Sequence, residues 1–347
     1  MSSAQFNRPA ACIAAMGART SVGLNVESSA IAAKAGISRI EEHPYLVDRA
    51  GDPFRIAFDR IIDETCGRIE RMQRLASSAI QELLSQFRVS ESATIPVYLG
   101  LPELSQYFTK QDATSLCRAL QADFPCTARI HPITEGGAAG VLALKQALAD
   151  LATGEVPCSI VGGVDSFVDP DLLEALDEVE RLASPSSKWG FPPGEAAAML
   201  LVCSPAFARS CGLTVFANIA NIAVTHEPNR MGTETICVGQ GLGAAMIQAS
   251  SVASSPVTKQ FCDINGERYR EDEFAYAVMR LPQSRFLNAV DYVAPADVWG
   301  HTGAATAPLL ATLPIVQHRR GFSPGPWPLV WCGSENGQRG ALLLHLE

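Results

Sequence analysis

Few residues of this chain sit where their type and spacing could do chemistry. The stretch His131–Glu155, HPITEGGAAGVLALKQALADLATGE, reads as a strand end, a Gly-rich turn and a long helix. Such a turn can hold one nucleophile at the positive end of a helix, where an anion is favoured. This turn contains no Cys, Ser or His, and Thr134 is the one hydroxyl nearby. Two readings of Gly136–Gly137 follow. The glycines allow a helix start beneath a close backbone approach, or they expose N–H groups that bind an anion or carbonyl without any side chain. Glu135 stands at the same end and would itself satisfy the helix dipole.

Other groups carry paired readings too. His301, in WGHTGAA, is either a base or oxyanion donor, or a packed ring that caps neighbouring backbone groups. Cys262 lies beside Asp263 and is either a displaced nucleophile or a buried thiol. Glu195, in PPGEAAA, is read as a structural carboxylate that bonds the adjacent turn. The charged run NGERYREDEF is read as a solvated helix start. Its Tyr269, Phe274 and Tyr276 would also suit a partner-binding loop, because aromatic residues and Arg are favoured at interface centres.

Composition narrows the function classes. The 347 residues suffice for two ordinary domains or one large layered one, and 47% hydrophobic against 18% charged residues supports a substantial core. A net charge of −9 argues against a nucleic-acid binder, which normally shows a basic patch; the HRR at His318–Arg320 is too small to serve. No two of the ten Cys form a C-x-x-C pair, so no zinc or thioredoxin-like motif is read and no metal or cofactor is expected. Free thiols in apolar stretches suit a reducing compartment. The opening MSSAQFNRPA has no apolar region of signal-peptide type, and no apolar run reaches the length of a membrane span. A soluble, cytoplasmic protein that binds neither membrane nor nucleic acid is the expectation.

The elements that must position these groups follow from the hydrophobic pattern. RIERMQRLASSAIQELLSQF has 3.6-residue periodicity and predicts an amphipathic helix. Continuous apolar runs such as TIPVYLGLPE, CSIVGGVDSF and EAAAMLLVCSP predict buried strands, whereas positions 45–67 read as irregular around Asp52–Pro53. From TVFANIANIAVTHE onward the order of strands and helices starts again. The pattern predicts an α/β layered fold from two duplicated halves, 1–205 and 206–347, closely packed.

The punctuation of this pattern resembles the thiolase fold and, within it, the β-ketoacyl synthases. MGARTSVGLNVESSAIAAKAGISRI is similar to the opening strand, Gly-x-x-Thr-x-x-Gly and helix of that family. GVLALKQALADLATGEVPCSIVGGVDSF is similar to its central helix and following strand, GFPPGEAAAMLLV to its GEGA turn, GHTGAATAPLLA to its GHxxGAAG helix start, and GSENGQRGALLLHL to its Gly-rich loop and last strand. The resemblance spans nearly the whole chain and implies a five-layered α-β-α-β-α architecture.

It also implies a site, which this chain does not fill. The family attacks an acyl thioester with a Cys at the start of the central helix, assisted by two His, a Lys and backbone N–H groups. Counting back from Thr153–Glu155 places the nucleophile position at Gly137. The first His position falls on Asn265, with Asp263 as the other near residue; the second His is retained as His301, and Ala296 replaces the Lys. CGSENGQ stands where the family has its Phe-bearing Gly loop. The resemblance therefore implies a degenerate synthase without condensing chemistry. Its expected partner is a second copy or a ketosynthase paralogue, as in chain-length-factor-like subunits. An adaptor resembling the degenerate proteins associated with type VI secretion would instead bind an effector or another protein. An acyltransferase with altered chemistry, using His301, is the remaining reading.

Overall fold

The computed structural model describes residues 11–88, 94–184 and 187–347. MSSAQFNRPA, read above for a targeting segment, lies outside them. In chain order the first part runs β1 (Ala11–Thr20), α1 (Val26–Ala35), β2 (Glu41–Val47), β3 (Pro53–Ile56), α2 (Arg68–Leu84), β4 (Ile95–Gly100), α3 (Lys110–Asp123) and β5 (Thr127–Ile133). It continues with α4 (Ala139–Thr153), β6 (Cys158–Ser166), α5 (Pro170–Glu178), β7 (Glu195–Cys203) and α6 (Pro205–Ser210). The second part runs β8 (Ala217–His226), α7 (Gln240–Ala249), β9 (Lys259–Cys262), α8 (Arg268–Val278), β10 (Tyr292–Val293), α9 (Ala296–Trp299), α10 (Thr306–Arg319), β11 (Pro328–Gly333) and β12 (Gln338–His345).

The duplication is visible in strand order. Ten strands form one hydrogen-bonded order through β1 and β8; its first wing, or sheet, reads β1-β7-β6-β4-β5 and its second β8-β12-β11-β9-β10. Both run antiparallel, antiparallel, parallel, parallel from the centre outward. We propose 1–205 and 206–347 as the repeat units on this basis. The sheets touch where Ala11–Ile13 of β1 pair with β8, then part. Beyond that point side chains take the place of a neighbouring strand. Met16 N–H donates to Gln86 (3.2 Å) and the Gln86 amide donates back to the Met16 carbonyl, while Glu82 accepts from Ala18 N–H at 2.9 Å.

Three apolar cores separate the layers. α2 turns Met72, Leu75, Ala76, Ala79, Ile80 and Leu83 onto the outer face of the first sheet, the predicted amphipathic spacing. α7 and α8 cover the outer face of the second sheet. Between the sheets lie α4 and α10. α10 is buried along its length from Thr306 to Gln317, as a helix with a partner on every side must be. The two central helices approach so closely that a Cβ on Gly140 would run into Pro308. The stretch 45–67 is not irregular throughout. β2 and β3 pair as an antiparallel hairpin whose turn is closed by Asp48, which accepts from the Ala50 and Asp52 N–H groups at 2.9 Å. The hairpin's Phe54 and Ile56 pack with Leu173, Leu182 and Phe191 beside the site.

Glu195 is structural, though its partners are not the adjacent turn. Arg71 donates to it through two nitrogens (2.8 and 2.5 Å), with Ser166 Oγ at 2.7 Å and Asp59 N–H at 2.8 Å. Both side chains of the ion pair are essentially fully buried. Removing one partner of such a pair strands the other charge in the core. Arg71→Ala should cost about 3–5 kcal/mol, read as a shift in the urea midpoint. A loss below about 1 kcal/mol, the scale of a surface pair, would contradict the assignment.

Candidate functional site

Between β5 and α4, Gly136–Ala138 form one 3-10 turn. Gly136 lies in the left-handed region (φ 64°), which glycine enters without a Cβ penalty. Its N–H donates to the Leu101 carbonyl at 3.1 Å. Gly137 answers a different constraint. A Cβ there would stand 2.5 Å from the Gly333 carbonyl oxygen, because the loop between β11 and β12 lies directly on the turn.

That loop is bonded down along its length. Ala138 N–H donates to Ser334 Oγ (2.8 Å), and the Ser334 hydroxyl donates to the Glu135 carbonyl. Asn336 donates through its backbone to Glu103 (3.1 Å) and through its side chain to Glu135 (2.6 Å). Gly333 N–H donates to Asp263 Oδ2 at 2.8 Å. Glu135 stands at the N-cap of the turn, at the positive end as read from the sequence, and makes no cap bond with its side chain; its carboxylate accepts from Asn336. Of the two readings of Gly136–Gly137, close backbone approach is the one the geometry displays.

Behind the loop lies a connected set of ion pairs. Arg270 bonds Asp263 (2.8 Å), Glu267 (3.3 Å) and Glu335 (3.2 Å). Arg181 bonds Glu267 (2.7 Å) and Glu335 (3.0 Å), and Tyr269 donates to Glu335 at 3.2 Å. Asn265 braces the same set: its amide donates to Glu267 Oε2 (3.0 Å) and its carbonyl oxygen accepts the Glu267 N–H (3.1 Å). Burial pushes the Asp263 carboxyl up, against the pull of Arg270. Desolvation also pushes Glu335 up, but Arg270 and Arg181 outweigh it and hold this carboxyl at about 2. NGERYREDEF opens α8 as a helix start solvated on one face only: Arg268, Glu271 and Asp272 are exposed, whereas Glu267, Arg270, Glu273 and Phe274 are buried. Their spacing of three and four residues puts them on one helix face, a signal present in the sequence. Arg181 and Glu335, 154 positions apart, carry no such signal.

A cavity of about 310 Å³ opens beside the turn. Gly137, His301, Arg68, Arg181, Arg270 and Glu335 line it, and Phe167, Leu172, Leu176 and Phe191 form its apolar side. Asn265 and Ala296 face a separate groove of about 610 Å³, so the structure divides the sequence-derived site positions between two spaces. The His301 ring packs edge-on to Phe191 (4.9 Å) and tilted on Phe167 (5.3 Å). Its backbone makes the bonds expected of the ring: its N–H donates to Pro192 O (2.7 Å) and its carbonyl accepts from Gly194 N–H (3.0 Å). Burial, reinforced by Arg270, pushes the imidazole down to about 3. Cys262 is buried and desolvation lifts its thiol well above the ordinary value, the opposite of an activated nucleophile. Glu227, Cys237 and Glu273 bring potential metal donors together outside this cavity, but both Glu273 oxygens are taken by Arg339. Among the described residues no helix is long and apolar enough to cross a membrane.

No protein-family model matches the sequence, and no curated protein matches it. Solved structures do match in fold. A type II polyketide ketosynthase, bound to the hexaketide and in complex with its acyl-carrier protein, aligns over 97% of this chain and 99% of its own at 13% identity (TM-score 0.78). The ishigamide ketosynthase/chain length factor aligns over 98% and 100% at 15% identity (TM-score 0.79). An oxazolomycin ketosynthase domain from Streptomyces albus JA3453 aligns over 98% and 74% at 14% identity (TM-score 0.78). The fold is the thiolase-like ketosynthase fold.

The His301 environment has a consequence for acid stability. An unfolded chain protonates this imidazole near 6.5, whereas the folded chain resists until about 3. The unfolded state therefore binds more protons in that window, and stability falls as pH falls through it. His301→Phe, which suits the aromatic surroundings, should flatten the pH dependence of the urea midpoint between these values. An unchanged profile would contradict the assignment.

Proposed function

We propose that this chain is a non-condensing protein on the ketosynthase fold, acting by binding and not by acyl condensation. One observation carries the reading. Gly137 stands at the start of the central helix, where the resemblance puts a thiolate, and the Gly333 oxygen takes the space a side chain would need. The supporting groups point the same way. Two N–H groups beside the turn that could steady an oxyanion are spent, Ala138 on Ser334 and Gly333 on Asp263. Asn265 is spent on Glu267, and Ala296 offers no charge. His301, held far below neutrality, is a weak base. Cys262 and Cys332, the thiols on the strands leading to the site, are buried with their pKa pushed well up.

A binding protein needs a partner, and the sheet suggests where one joins. β5 ends the first sheet and pairs with β4 alone among the described strands, which leaves a row of backbone donors and acceptors on its other side. The family joins central sheets between subunits, so this edge is our proposed interface. Its occupant is a second copy of this chain or a Cys-bearing ketosynthase paralogue.

Two measurements test the reading. Incubation with an acyl-CoA, followed by intact-mass analysis, should leave the chain unmodified. Stoichiometric acylation at one residue would establish the acyltransferase alternative and overturn ours. Gly137→Cys should not restore condensation of a malonyl thioester and should cost about 1–3 kcal/mol of stability, because its Cβ is forced against the Gly333 carbonyl. Light scattering should return twice the 37.0 kDa chain mass for the protein alone if the partner is a second copy, and once that mass if it is a paralogue.

A further inference from the structure

The cavity beside Gly137 is built for a negative charge that the protein itself supplies. Arg181, Arg270 and the Tyr269 hydroxyl all converge on one oxygen of Glu335, at 3.0, 3.2 and 3.2 Å. Three donors on one carboxylate oxygen are the recognition pattern of an anion site. The carboxylate that fills it is neither core nor permanent. Glu335 rides on the β11–β12 loop, and 39% of its side-chain surface remains exposed to water. Neighbouring Ser334 and Asn336 carry the bonds that hold the loop backbone, so the side chain can leave while the loop stays.

The rest of the wall is unlike that of a simple ion site. Leu172 and Leu176, one turn apart on α5, face the cavity with Phe167 and Phe191. Arg68 also lines it, and its buried Nε has no hydrogen-bond partner. The opposing acids are accounted for: Asp165 is paired with Arg68 and Ala304 N–H, and Glu103 accepts from Asn336. A volume of about 310 Å³ is at the small end of ligand pockets, which run from about 300 Å³ upward.

We propose that this cavity binds a small aliphatic monocarboxylate, its head displacing Glu335 from Arg181 and Arg270 and its tail lying along Phe167, Leu172 and Leu176. Glu335 is then a tethered competitor that sets the affinity. The proposal rests on the non-condensing reading, since a chain with an acylatable nucleophile would bind its ligand as a thioester. Binding here is reversible and forms no covalent bond.

Calorimetric titration with butanoate, hexanoate and hexylamine tests this. Hexanoate should bind the wild type weakly and Glu335→Ala about tenfold or more tightly, because the variant no longer spends binding energy on expelling the competitor. Affinity should rise from butanoate to hexanoate by about fourfold per methylene, and hexylamine, with the same tail and the opposite charge, should not bind. Leu176→Trp, which fills the tail space, should abolish hexanoate binding in the otherwise native chain and guards against a Glu335→Ala protein that folds poorly. Equal affinity of wild type and Glu335→Ala, binding of hexylamine, or hexanoate binding that survives Leu176→Trp would each overturn the proposal. Acylation by an acyl-CoA would sink the non-condensing reading whatever hexanoate does. Lack of hexanoate binding without acylation would sink this proposal alone.

Discussion

The Gly333 carbonyl resting on Gly137 is the contact on which the rest of the site depends. Two loops from opposite halves, β5–α4 and β11–β12, meet there at a distance that excludes even one methyl group. Everything around the contact serves that approach. Ser334 takes the helix N–H at Ala138 and returns a hydrogen bond to Glu135, Asp263 takes the N–H of Gly333, and Asn336 ties the loop to Glu103 and Glu135. The N–H groups of Ala138 and Gly333 are both satisfied within the protein. The empty turn is a seat for the loop, and glycine is the residue that lets the loop sit.

The ion pairs behind the loop act through position more than through stability. Buried charges lose hydration when they pair, and such pairs often add little net free energy compared with apolar packing. What Asp263, Glu267, Arg270 and Arg181 do provide is a fixed geometry. Asp263 aims its carboxylate at the Gly333 N–H because Arg270 holds it, and Arg270 is held in turn by Glu267, which Asn265 braces. The same arginines create the positive field that keeps Glu335 ionised, and they add to the burial that keeps His301 neutral. One network therefore closes the turn and charges the cavity beside it.

Much of the architecture is legible in the sequence because it rests on periodicity and punctuation. The apolar stripe of α2 and the repeated strand order each follow from local pattern, and the absence of a Cys, Ser or His at Gly136–Ala138 is plain from residue types alone. What local pattern does not reveal is long-range pairing. Glu195 reads as bonding its own turn, yet it belongs to Arg71 across the core. NGERYREDEF reads as solvated because it is highly charged, and that holds for Arg268, Glu271 and Asp272; the burial of Glu267 and Arg270 depends on Asp263, Arg181 and Glu335, contributed by other segments. His301 is found by motif, but its aromatic surroundings come from Phe167 and Phe191, distant in the chain.

The most direct test of the closed turn is amide hydrogen exchange at Ala138 and Gly333. Ala138 N–H is donated across the contact to Ser334, whereas Gly333 N–H is donated to Asp263 at the end of the neighbouring strand β9, so Ala138 reports the contact itself and Gly333 the strand end behind it. If the loop is seated as described, they exchange only on global opening and rank with the core strands among the most protected amides of the chain. Exchange at loop-like rates for Ala138, with Gly333 and the core strands still protected, would mean that the β11–β12 loop leaves Gly137 in solution, and the account of a closed, non-condensing site would be contradicted.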